Sequence, residues 1–249
     1  VMGNHAKEGI PWATLTGLWA AELAAGGFTG PRDILDHRGY YDAGRIVAGL
    51  GESFAVDAVY FKPYACCRWI HSALDGLCDL IRRHNLKSAD ISSIEVHTFA
   101  RALRLNNHPD PDSLESAQYS LPFCLAAAAV EGRQALLPMR ADLLHRPELV
   151  ALAGRVALHA DAGLDRIFPE CTAARVVIQA PGKRLEADCR HPLGDPANPM
   201  DWGMLVHKFQ QATSGRLSPA RQKEMIRAVQ SLPSQGPAPL QRLLAEPLG

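Results

Sequence analysis

The chain has 249 residues, with 26 basic and 26 acidic side chains, 47% hydrophobic residues and 21% charged ones, which is a globular composition long enough for one large domain or two smaller ones. A formal net charge of zero, with Lys and Arg scattered rather than massed, argues against nucleic acid or an anionic membrane as a partner. No apolar run is long enough to span a bilayer, no secretory signal follows Val1, and six cysteines without a CxxC pair or metal-finger spacing predict reduced thiols in a cytoplasmic protein.

In chain order, Leu15, Leu18, Trp19 and Leu23 share one helical face in a segment from Ala13 to Ala25, which predicts a mostly buried helix stopped by Gly26-Gly27. Thr29-Gly30-Pro31 then predicts a turn and a second helix start. Pro63 keeps Lys62 extended, after which Ile70, Leu74, Leu77 and Ile81 form the inner face of an amphipathic helix whose wet side carries Asp75, Asp79, Arg82 and Arg83. Residues 94 to 99 alternate as a half-buried strand, and residues 106 to 113 form a Pro- and Asp-rich loop. Ser120, Pro122 and Gly132 bracket an Ala-rich helix that is apolar nearly all round and so belongs in a core. RVVIQ and RLEADC, joined through Pro181-Gly182, predict a hairpin. The Pro- and Gly-dense loop 191–200 leads to Asp201, a cap for final helices containing Leu205, Phe209, Met225, Ile226 and Val229. The fold class expected is mainly α with an α+β part: helical segments at 1–58 and 191–249 flanking a small α+β domain at 59–190.

The chain has no phosphate-binding glycine loop, no GxSxG elbow and no HExxH pair, and its ten histidines are dispersed, so neither a metal nor a nucleotide cofactor is expected. Chemistry concentrates in one segment holding Lys62, Tyr64, Cys67, Arg68 and His71. Lys62 ends an extended piece, while Arg68 and His71 stand three residues apart on the first turns of the next helix and project from one face. Cations beside an imidazole suit carboxylate binding and proton transfer. The alternative open at this point is a core histidine at 71 and a surface cation at 68.

The run KPYACCRWIHSALD, residues 62–75, resembles the Lys-Pro-Tyr-x-Cys-Cys-Arg-x-x-His signature of the MmgE/PrpD family, which includes 2-methylcitrate dehydratase, cis-aconitate decarboxylase and iminodisuccinate epimerase. Three further stretches agree in order: residues 3–31, ending in Gly-Phe-Thr-Gly-Pro; residues 116–132, with Ser-Leu-Pro; and residues 192–209, with Pro-x-Gly-x-Pro-x-Asn-Pro and then Lys-Phe. The resemblance implies a helical domain plus a smaller α+β domain, and a cofactor-free lyase of the dehydratase type acting on a small polycarboxylate such as 2-methylcitrate. Epimerisation of iminodisuccinate and decarboxylation of cis-aconitate are the alternatives within the family. His71 and Lys62 are then the catalytic candidates, with Arg68, Lys7 and Asn4 binding substrate. Departures from the family pattern at His5 and Glu8 bear on the pocket around Lys7. The chain is similar to the C-terminal half of family proteins, which implies a homodimer, or pairing with the missing N-terminal half, or a catalytically incomplete subunit.

Overall fold

The computed structural model describes residues 10–246, and its contacts divide the chain after Val59 into two units. Asn4 and Lys7 lie outside the described residues.

In the first unit, helix α1 spans Ile10–Ala25. The chain leaves it through Gly27 at φ +93°, and the Phe28 N–H closes back on the Leu23 carbonyl at 2.9 Å, the left-handed exit that glycine makes without steric cost. The expected burial of this helix is not found. Leu15, Leu18, Trp19 and Leu23 are exposed, because apolar periodicity specifies which face seeks cover but not what supplies it. The second helix start expected near Pro31 is only a single 3₁₀ turn at Ile34–Asp36, followed by the short helix α2, Ala43–Val47.

The second unit is built on one core. Helix α3, His71–His84, turns Ile70, Leu74 and Leu77 inward, as its spacing predicts. It packs against a sheet of four strands in the order β2–β1–β3–β4, made of β1 Ser93–Thr98, β2 Val156–Ala160, β3 Ala174–Ala180 and β4 Lys183–Cys189. β1 and β2 run parallel, while β1–β3 and β3–β4 are antiparallel. The register pairs Ile94 with Ile178 and Val96 with Val176, which puts four buried aliphatics on one face towards α3. At Gly76 a Cβ would stand 3.2 Å from Val176, so the absent side chain is what lets helix and sheet approach this closely.

Between β1 and β2 lie α4 Leu114–Gln118, α5 Leu121–Glu131 and α6 Pro147–Ala153. α5 is the expected core helix: the Ser120 hydroxyl accepts from the Phe123 N–H at 3.2 Å, Pro122 sits in the first turn, and every residue from Leu121 to Ala128 is buried. A fifth small helix in this unit, α7 Ala162–Arg166, joins β2 to β3. Beyond the hairpin come α8 Trp202–Thr213, capped by Asp201 accepting from the Met204 N–H at 2.7 Å, then α9 Pro219–Gln230, α10 Leu232–Gln235 and α11 Ala238–Ala245. No helix among the described residues is long and apolar enough to cross a membrane.

Candidate active site

Residues 61–67 form an irregular segment, bent at 63–66, that three backbone hydrogen bonds tie into the unit. The Phe61 N–H donates to the Gly194 carbonyl at 2.9 Å, the Ala65 N–H to the Leu136 carbonyl at 2.7 Å, and the Cys67 N–H to the Gln118 carbonyl at 2.8 Å. Tyr64, Cys66 and Arg68 point inward and are buried, while Lys62 is only half-buried. Gly194 is essential to this arrangement. It sits at φ +86°, and a Cβ built on it would stand 1.8 Å from the Phe61 carbonyl oxygen, so only glycine permits loop 191–200 to lie against this segment.

Asp75 fastens the same loop from the other side. One carboxylate oxygen accepts from the Tyr64 hydroxyl at 2.6 Å and the other from the Leu193 N–H at 2.6 Å. The helical period placed Asp75 on the wet face with Asp79, Arg82 and Arg83. The latter three do form exposed i,i+3 and i,i+4 pairs, but Asp75 is covered by a loop more than a hundred residues away in sequence, which no local pattern reveals. Burial, and then the neighbouring Asp75 charge, push the Tyr64 hydroxyl far above its ordinary value, so it stays a hydrogen-bond donor.

Arg68 is engaged on three sides. Its Nη2 pairs with the Asp195 carboxylate at 2.9 Å, its guanidinium lies over the Tyr60 ring at 4.6 Å from the centroid, and its Nη1 stands 3.5 Å from both the Leu193 carbonyl and Nδ1 of His71. A guanidinium has only donors, so the Nδ1 facing it is the acceptor and the ring proton belongs on Nε2. That Nε2 is buried without a hydrogen-bond partner. His71 itself is 0% exposed and meets the Tyr64 ring edge-on at 5.0 Å. Of the three sequence candidates within the described residues, Arg68 and His71 are thus brought together. Lys62 stands apart from them, with no ion pair or hydrogen bond among the described residues.

Lys62 is nevertheless felt inside. Burial would raise the Cys66 thiol, but the adjoining Cys124 side chain and His71 ring, together with the positive charge of Lys62, outweigh it and lower the group. Cys78 and Cys189 go the other way. Burial, and then the Asp75 carboxylate, push both up to about 11 from the ordinary 9.0. The sign for stability follows directly: between those values the unfolded thiols release protons while the folded ones hold theirs, so stability is fully present below pH 9 and declines as the pH climbs towards 11. Urea midpoints measured from pH 8 to 11 should fall, and less steeply in a Cys78→Ala/Cys189→Ala variant. Equal slopes for both proteins would contradict the assignment.

Asp75, Asp195 and Gly194 are the residues that sequence reasoning left out of the site. Gly194 and Asp195 stood in the Pro- and Gly-dense stretch that carries part of the family resemblance, and Asp75 closed the 62–75 run, but no site role was assigned to any of them. Tyr119 is half-buried at the end of α4, and its carbonyl accepts from the Asn107 N–H at 3.2 Å.

The second unit therefore presents a short bent segment bonded to a Pro/Gly loop, with a half-buried lysine at its start and an Arg–His pair behind it. The MmgE/PrpD C-terminal domain matches residues 64–233, a stretch that takes in all of these elements except residues 61–63. The chain belongs to the MmgE/PrpD family. It is 28% identical to a cis-aconitate decarboxylase of Aspergillus terreus strain NIH 2624, over 89% of this chain and 50% of the relative. A second Aspergillus terreus protein of the same name is 27% identical over 86% of this chain and 49% of the relative. The chain thus spans about half the length of the curated relatives it matches.

Proposed function

We propose that this MmgE/PrpD chain contributes Lys62 as the carboxylate-binding cation of a lyase acting on a small tricarboxylate of the cis-aconitate type, with loss of carbon dioxide. The observation that carries this reading is the difference between the two cations of the motif. Arg68 is buried and already neutralised by Asp195, whereas Lys62 is half-buried and unpaired among the described residues. A bound carboxylate completes the pairing that Lys62 lacks.

In decarboxylation the carbon–carbon bond to the departing carboxylate breaks and its electron pair passes into the adjoining carbon framework, where it is stabilised by a retained carboxylate until a proton is taken up. A lysine fixed against the retained carboxylate lowers the barrier as that charge grows, and its ammonium is a proton source at the same place. His71, behind Arg68, then acts as a positioning residue that keeps the guanidinium and the segment 62–68 in register. The likeness to two decarboxylases moves the emphasis from dehydration to decarboxylation. Dehydration of 2-methylcitrate is the second reading, since the same cation would serve loss of water next to a carboxylate.

Proton NMR of the complete gene product incubated separately with cis-aconitate and with 2-methylcitrate tests the proposal. A new unsaturated product with equimolar carbon dioxide from cis-aconitate is expected, with a loss of at least a hundredfold in rate for Lys62→Ala. Turnover of 2-methylcitrate alone would replace the first reading by the second, and turnover of neither would overturn both.

A further inference from the structure

A second group of cationic side chains lines a cavity that Tyr64 also borders. The cavity, of about 260 Å³, is walled by Arg133, from a 3₁₀ turn after α5, and by His207 and Lys208 of α8. Its apolar lining comes from Leu137, Met200 and Met204, and no carboxylate residue lines it. On α8 the residues Met204, His207, Lys208 and Gln211 stand at i, i+3, i+4 and i+7, so one helical face delivers them all. Neither Arg133 nor Lys208 has an ion pair among the described residues. Arg133 is exposed and lines both this cavity and a neighbouring one that holds Asp75, Asp79 and Asp188. Cavities for drug-sized ligands run to about 300–1,000 Å³, so this one suits a smaller molecule.

We infer that the Arg133–His207–Lys208 cavity binds a small organic anion carrying at least two negative charges, as carboxylate or phosphate groups, on a short apolar body. The cations supply charge-assisted hydrogen bonds, and Leu137 and the two methionines cover the hydrocarbon part. The site is separate from Lys62, which does not line the cavity. It is coupled to that lysine through the wall they share: Pro63 and Tyr64 line the cavity on one side, and Leu193, pinned by Asp75, lines it on the other. A ligand seated there would hold loop 191–200 closed and favour the arrangement of residues 61–68, which makes it an effector site rather than a second catalytic one.

Isothermal titration of the chain with adipate and with phenyl phosphate tests this, the tighter of the two indicating which anionic group the site prefers. Binding should weaken at least tenfold in Arg133→Gln/Lys208→Gln, whose side chains leave the core untouched, weaken further as salt is raised, and stay unchanged in Lys62→Ala. Absence of binding by either probe in the millimolar range would overturn the inference, as would binding that ignores the double substitution. Loss of binding in Lys62→Ala alone would assign the anion to Lys62, leaving the proposed function intact while removing this second site.

Discussion

Asp75→Ala should destabilise the protein by about 2–5 kcal/mol, because it strands two donors at once: the buried Tyr64 hydroxyl and the Leu193 N–H, each costing about 1–3 kcal/mol when left without an acceptor. Asp75→Asn keeps one acceptor oxygen and should fall between the variant and the parent. The local signature is as informative as the global one. Amide exchange across residues 191–200 should accelerate far more than in α5, to which neither hydrogen bond of Asp75 runs. A change under about 0.5 kcal/mol with unaltered exchange would mean that the loop is held by Gly194 and Asp195 without Asp75.

His71→Ala should cost about 2–4 kcal/mol, the range for removing a fully buried side chain from a packed site, since the ring fills space against Tyr64 and Arg68. His71→Phe separates packing from polarity. Phenylalanine keeps the ring and removes an Nε2 that has no partner, so its denaturation midpoint should lie near that of the parent even though the contact from Arg68 is lost. If His71 acts through Arg68, both variants should lower turnover, His71→Ala the more. Turnover abolished equally by both substitutions in stably folded proteins would make His71 the proton-transfer group that the motif resemblance suggests.

The parts of the fold that were legible in the sequence are those whose cause is local. Ser120, Pro122 and Gly132 bracket α5 because capping, first-turn proline and glycine exit act within a few residues, and the β3–β4 hairpin follows from alternation on either side of Pro181-Gly182, with Gly182 at φ +68°. β2 was not legible, since its sequence VALHA has no apolar–polar alternation, none of its residues is buried, and its place at the edge comes from pairing with β1. The site divided in the same way. Lys62, Arg68 and His71 share a ten-residue motif, whereas Asp75 and Asp195 join it only because loop 191–200 folds back over α3. The inward burial of His71 and Arg68 likewise depends on that loop, so the same residues that read as an open anion-and-base cluster in sequence form, in the folded unit, a covered frame beside a single accessible cation.

Direct titration of the complete gene product with cis-aconitate, followed through the side-chain resonances of ¹³C-labelled lysine, tests the division between frame and cation. The Lys62 εCH₂ signal should shift on addition of the tricarboxylate, and Lys62→Met should weaken binding by at least tenfold while leaving the melting temperature within about 2 °C of the parent, as expected for a half-buried side chain without a partner. A Lys62→Met protein that binds cis-aconitate as the parent does, with the perturbed resonances elsewhere, would contradict it.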